Sequence, residues 1–195
     1  PGSAGELAQK LKQNNISFYY LKNLKRNISP FNFFIKIFKI IKIIKIVKPD
    51  IIHLNSSKIS ILGSIAGFLA QKLLIIKYKL LIIYTVHGWV FNEPSNELNQ
   101  YFYFLAEKIT AKIKNKIICI NKQDYAIALN QLKIPENKLS LIHNGLNSQE
   151  INFLPPAEAL KKLKLSKNNN QLIIGNIANL YKTKGQEYLI KAIDL

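Results

Sequence analysis

Between residues 50 and 144 four short apolar runs, DIIHL (50–54), LLIIYTV (80–86), KIICIN (116–121) and LSLIHN (139–144), alternate with longer segments of helical character. Strands separated by helices cannot be joined by tight hairpins, so each connection crosses over, and such crossovers are right-handed and lay the strands parallel. The rhythm predicts an α/β fold built on a doubly wound parallel sheet. DIIHL is apolar throughout, which suits a strand covered on both faces.

The intervening segments read as helices at 56–73, 99–113 and 122–132. In the first, Gly63, Ala66, Gly67 and Ala70 are small enough to bring a helix close to a sheet. Upstream, Ser3 and Glu6 form an S-x-x-E capping box for a helix over 4–13, and ISFYYL (16–21) has strand composition. Ser29-Pro30 supplies an N-cap and an N1 proline for a helix that must stop near Pro49. In that helix Phe33, Ile37, Ile40, Ile44 and Val47 form one apolar stripe, while lysines three apart fan around the rest of the circumference. Ile35, Phe38 and Ile41 with this lysine fringe offer a contact for a membrane.

Asn144-Gly145 is a turn signal, since both residues tolerate positive φ. Beyond it regularity lapses through Pro155-Pro156, a lysine-rich helix (157–164) and SKNNN. QLIIGNIA (171–178) then reads as a new strand and GQEYLIKAIDL (185–195) as a new helix. The expected organisation is an incomplete domain over 1–150, a connector over 151–170, and over 171–195 the first βα unit of a second domain of the same kind.

The net charge of +17 raises the question of nucleic acid. Of 28 basic residues, however, Arg26 alone is arginine, the side chain that forks onto phosphates and guanine edges, and the lysines are spread along the chain. The abundance of Lys, Ile and Asn matches the compositional drift of an AT-rich genome, and no nucleic-acid partner is expected; anionic lipid headgroups need only lysine point charges. The one cysteine, Cys119, cannot form an internal disulfide, which fits a reducing, cytoplasmic setting. PGSAGELAQKL has no apolar signal region, and no window of about 18 residues is free of charge as a spanning helix requires.

In open α/β sheets ligands bind beyond the carboxyl ends of the strands. Ser56, Ser57 and Lys58 follow the first strand, where a helix N-terminus either is capped or receives an anion or sugar hydroxyls. His87-Gly88-Trp89 follows the second, pairing an imidazole with a residue that admits close approach to the backbone. Lys184-Gly185 opens the last helix, where the lysine is either solvated or reaches a docked phosphate. His53 and His143 read as strand-end residues with satisfied rings, and Cys119 as core. No metal-ligand spacing, G-x-G-x-x-G, P-loop or G-x-S-x-G is present, which argues against a dehydrogenase, an NTPase and an α/β-hydrolase.

Taken in order, PDIIHLNSSKISILGSIAG (49–67), YTVHGWVFNE (84–93), IICINKQDYAIAL (117–129), LIHNGLN (141–147) and IGNIANLYKTKGQEYLIKAI (174–193) resemble the family 4 (GT4-type) glycosyltransferases of the GT-B fold. The resemblance implies two Rossmann-like domains and a retaining, metal-independent sugar transfer from a nucleotide-sugar donor to an acceptor in the cleft between them. It implies that His87 lies beside the donor sugar, with Gly88 next to it, and that Lys184, Gly185 and Asn179 lie at the donor's pyrophosphate. Ser56, Ser57, Lys58 and Trp89 would face the acceptor, a cell-surface glycan or lipid-linked sugar. No cofactor is implied.

This chain departs from that pattern where many relatives carry an arginine and it has Asn179, a contact Lys182 could replace, and where many carry a second histidine and it has Asn55. A glycine-rich first strand and an E-x7-E segment are expected outside the given sequence, so the chain as given reads as truncated at both ends and inactive by itself. The alternative reading is a non-catalytic basic α/β module that docks on anionic membranes or polymers.

Overall fold

Four parallel strands form one sheet in the order β1-β2-β3-β4: β1 (Ile51–Leu54), β2 (Leu81–Val86), β3 (Lys116–Cys119) and β4 (Leu139–Leu141). The computed structural model describes residues 6–19, 30–73, 75–166, 172–181 and 184–193, and the chain divides into two units, Pro1–His143 and Asn144–Leu195. Ser3, Ser29, Lys182 and the expected helix end at 194–195 lie outside the described residues.

In the first unit the crossovers are made by α3 (Ser57–Lys72), α4 (Glu97–Ala111) and α5 (Lys122–Asn130), preceded by α1 (Glu6–Gln13) and α2 (Pro30–Val47). The strand–helix alternation is as the sequence indicates. Paired positions Leu54, Tyr84, Ile117 and Leu139 make one buried row across all four strands. They point at the helix layer, where small residues allow close packing. A Cβ on Gly63 would come within 2.5 Å of Leu54 Cδ2, and one on Gly67 within 2.9 Å of Ile82 Cδ1. Side-chain caps start the helices: Asn96 Oδ1 accepts from Asn99 N at 2.8 Å, and Asn121 Oδ1 from Asp124 N at 2.7 Å. Lys138 Nζ donates to the Lys112 carbonyl at 2.8 Å and so closes the end of α4.

Several expectations are corrected. β1 is not covered on both faces: Leu54 is buried, but Ile51 and His53 are exposed, because β1 lies at an edge of the sheet. Residues 16–19 form no strand, and 20–21 lie outside the described residues. On α2 the buried residues are Lys36, Ile37, Ile41 and Ile44, Phe33 and Ile40 are partly buried, and Val47 is exposed, so the stripe loses its last position and gains Ile41. Ile41, expected outward, is therefore core, and Phe34 and Phe38 are outward.

In the second unit α6 (Pro156–Lys162) and α7 (Gln186–Ile193) are the helices. Residues 172–179 form no strand. A strand is stable only when paired and covered, and Leu172, Ile177 and Leu180 are almost wholly exposed. Asn144 and Gly145 have no positive φ and make no turn.

Candidate functional site

Because the strands are parallel, Leu54, Val86, Cys119 and Leu141 end on one edge of the sheet, and the segments leaving them converge there. His53 pairs with Ile83, so its ring lies on the same face as Thr85 and shares a 2.7 Å hydrogen bond between Nε2 and Thr85 Oγ1. At the far strand His143 Nδ1 lies 2.8 Å from the Ile120 carbonyl, which can only accept, so Nδ1 carries the proton. Both histidines are satisfied strand-end residues, as their positions suggested.

His87 is different. It is the first residue after β2, it is exposed, and its ring has no hydrogen-bond partner among the described residues. The adjacent Gly88 has φ +109, and a Cβ there would meet nothing within 4 Å. Backbone conformation rather than crowding requires glycine, and the space above the turn is open.

Trp89, assigned by the resemblance to the acceptor side, turns inward instead. It is 2% exposed, stacks on Phe91 with centroids 5.7 Å apart, and donates Nε1–H to the Asp124 carbonyl at 3.0 Å. Its indole anchors the 87–88 turn to the start of α5 and offers no free polar atom to a ligand.

Ser56 is the N-cap residue of α3, exposed and in extended conformation, with no side-chain cap bond. Its neighbour Ser57 Oγ lies 3.2 Å from the Tyr84 hydroxyl. Behind Tyr84 is a buried polar cluster that sequence reasoning missed. Lys114 Nζ sits 5.3 Å over the Tyr84 ring, donates to Thr110 Oγ1 at 2.7 Å and stands 3.6 Å from Glu107 Oε2. Glu107 and Lys114 are both buried. Desolvation raises the Glu107 carboxyl from its usual range to about 7 and lowers the Lys114 ammonium to about 8, each shift only partly opposed by the other's charge. Burial also pushes Tyr84 well above the usual tyrosine range and the buried Cys119 thiol up to about 12, so Cys119 is packing rather than chemistry. Glu107 and Thr110 on one face of α4, with a lysine just past the helix end, were the available signal.

In the second unit Lys184 is exposed and precedes Gly185, whose φ is +67 and whose carbonyl accepts from Tyr188 N at 3.0 Å at the start of α7. The Asn179 carbonyl accepts from Gln186 Nε2 at 2.7 Å, which ties Asn179 to the start of α7 beside Lys184 and Gly185. Among the described residues no group of three or more His, Cys, Asp and Glu side chains is placed to hold a metal. A free imidazole beside an open turn, a hydrogen-bonded His–Thr pair and a helix N-terminus can together bind hydroxyl-rich or anionic groups.

The family model described as Glycosyltransferase Family 4 matches residues 1–150. Over 92% of its length the chain is 28% identical to the UDP-Gal:alpha-D-GlcNAc-diphosphoundecaprenol alpha-1,3-galactosyltransferase of Escherichia coli, covering 44% of that protein. It is 25% identical over 96% of its length to the capsular polysaccharide biosynthesis glycosyltransferase CapM of Staphylococcus aureus, covering 48% of it. A crystal structure of a glycosyltransferase from Rickettsia africae ESF-5 superposes with a TM-score of 0.55 at 24% identity, over 84% of this chain and 40% of that one, a likeness of fold. The chain thus spans less than half the length of these curated relatives.

Proposed function

The chain belongs to glycosyltransferase family 4, and from that premise we propose that the protein it is part of transfers a sugar, with retention and without a metal, from a nucleotide-sugar donor to a lipid-linked or polysaccharide acceptor. The observation that carries this reading is His87: an exposed ring with no hydrogen-bond partner among the described residues, beside a positive-φ glycine, on the strand edge where this fold binds ligands. His87 is proposed to touch the donor sugar at the reacting centre. Lys184 and the N-terminus of α7 are proposed to stabilise the negative charge that builds on the departing nucleoside diphosphate. Ser56, Ser57 and Lys58 are proposed to meet the acceptor.

The galactosyltransferase relative is named for an acceptor carried on diphosphoundecaprenol, which favours a lipid-linked acceptor over a free one. No helix among the described residues is long and apolar enough to cross a membrane. Attachment to the cytoplasmic face is instead proposed through α2, where Phe34 and Phe38 stand out of the surface with Lys39, Lys42 and Lys45 exposed around them. That face replaces the one expected from the sequence, since Ile41 is core. The same observation supports the second reading, a basic module that docks on anionic membranes without catalysis.

The chain by itself is proposed to be inactive, because residues 172–179 expose their apolar side chains and form no strand to carry the donor loop. A screen of nucleotide-sugar donors on the full-length protein, with polyprenyl-diphosphate-linked and free glycans as acceptors, tests the proposal. Transfer from one donor supports it; donor hydrolysis and transfer both at background, in a protein that binds anionic vesicles, leaves the docking module.

A further inference from the structure

Leu54, the last residue of β1, pairs with Tyr84 of β2, so the first turn of α3 starts beside the Tyr84 side chain. Ser57 opens that helix, and its hydroxyl turns toward the sheet, 3.2 Å from the Tyr84 hydroxyl. The Tyr84 ring is 1% exposed and held on two sides, by Lys114 Nζ at 5.3 Å from its centroid and by the edge-on ring of Trp89 at 6.3 Å. A ring so held gives its hydroxyl one place. Burial raises the phenol well above the usual tyrosine range, so that hydroxyl keeps its proton at any working pH.

Two hydroxyls share one hydrogen bond with one of their two protons. Whichever donates, Ser57 retains either its own proton or a lone pair. Ser57 is only half-buried, so this spare capacity reaches solvent at the edge of the sheet where His87 stands. A sugar hydroxyl both donates and accepts, and suits either arrangement. Without a partner on the sheet a serine hydroxyl samples several rotamers; with one it is aimed. We propose that Tyr84 is a positioning residue for the acceptor sugar, its buried hydroxyl holding the Ser57 hydroxyl in the orientation that meets an acceptor hydroxyl. The inference rests on the acceptor role proposed above for Ser57 and adds what aims it. Tyr84 itself touches no substrate. Trp89, which anchors the 87–88 turn, packs on the same ring, so Tyr84 also ties the two ligand-facing segments together.

The test uses the full-length protein with Tyr84→Phe, Ser57→Ala and the double variant. Phenylalanine keeps the contacts with Trp89 and Lys114, so circular dichroism should show an unchanged fold. In transfer assays Tyr84→Phe should raise the acceptor KM about three- to tenfold, the worth of one neutral hydrogen bond, and leave kcat and the donor KM unchanged. Ser57→Ala should raise it at least as much, and the double variant no further, since both changes act through one contact. Hydrogen exchange reads the same contact without turnover. Ser60 N donates to the Ser56 carbonyl at 2.7 Å in the first turn of α3, so a peptide spanning residues 55–62 should exchange about three- to tenfold faster in Tyr84→Phe, and one spanning α5 should not change. The proposal is overturned by a fall in kcat with the acceptor KM unchanged, which is what loss of folded enzyme gives. It is equally overturned if the single effects multiply in the double variant, or if residues 55–62 exchange as slowly as in the native protein. The two readings fail separately. A full-length protein that transfers no sugar removes the enzyme and this role with it, whatever exchange shows; normal kinetics in Tyr84→Phe remove the role alone and leave the enzyme.

Discussion

Lys114→Met takes away the cation nearest the buried carboxylate of Glu107 while keeping most of the apolar stem that packs over Tyr84. The structure limits the damage. With no counter-charge in a dry site, Glu107 does better to take up a proton than to stay ionised. Glu107 is already raised to about 7 in the native chain, so at pH 7 it is about half protonated and completing the protonation costs only about 0.4 kcal/mol more. Loss of the 2.7 Å bond from Lys114 to Thr110 adds about 1 kcal/mol, and loss of the cation over Tyr84 roughly another 0.5–1 kcal/mol. These losses come to about 2 kcal/mol, and the relief of a buried ammonium lowered from 10.5 to about 8 opposes them, so Lys114→Met is expected to stay within about 2 kcal/mol of the native chain at pH 7. At pH 5 Glu107 is protonated in the native chain and in the variant alike, so this part of the difference vanishes.

The double substitution Glu107→Leu with Lys114→Met removes both desolvation costs and should unfold within about 1 kcal/mol of the native chain. Urea unfolding followed through Trp89, the single tryptophan and part of this core, reports on the unit concerned. A loss above about 3 kcal/mol in Lys114→Met at pH 7, or a double variant as unstable as the sum of its singles, would refute the reasoning. The native chain has its own signature. Glu107 is raised from 4.5 to about 7, so the folded state holds the extra proton and stability falls as pH rises between those values. Lys114 is lowered from 10.5 to about 8, so its contribution falls as pH drops from the higher value to the lower. Stability should therefore dip between about pH 7 and 8, and the double variant should flatten that dip.

In the full-length protein His87→Ala should cut sugar transfer by about a hundredfold or more while leaving the Trp89 unfolding midpoint unchanged, since the ring has no hydrogen-bond partner among the described residues; wild-type turnover would end its assignment. Gly63→Ala places a Cβ 2.5 Å from Leu54 Cδ2, so the gain in helix propensity should be outweighed and the unfolding free energy in urea should fall by about 1–2 kcal/mol; a more stable variant would show that Leu54 can yield. Phe38→Glu should reduce co-sedimentation with phosphatidylglycerol vesicles, and native binding should weaken as salt rises; salt-independent sedimentation, equal in both proteins, would count against the α2 face.

Much of the architecture was legible in the sequence because strand, helix and crossover obey local rules. The apolar runs, the helices between them and the small residues of α3 predicted a parallel sheet with a close-packed helix layer, and that is what forms. The strand-end histidines were readable for the same reason: position along a parallel strand tells which edge a residue reaches. The misses share a cause. The burial of β1, the outward face of α2 and the strand expected at 171–178 all depend on what lies beside each segment, and a chain read linearly carries no record of its neighbours. Trp89 illustrates this at a single residue, since the resemblance places it toward the acceptor, whereas its N–H goes to the carbonyl of Asp124, distant in sequence.

By itself the sequence determined the order of the elements, the edge on which ligands would gather and the presence there of His87, because backbone periodicity and chain direction are written in neighbouring residues. Tertiary structure alone decided that His87 finds no hydrogen-bond partner among the described residues while His53 and His143 are satisfied, and that Tyr84 joins the start of α3 to a buried Glu107–Lys114 pair. Those features depend on distances between side chains far apart in the sequence, and packing sets such distances only once the chain has folded.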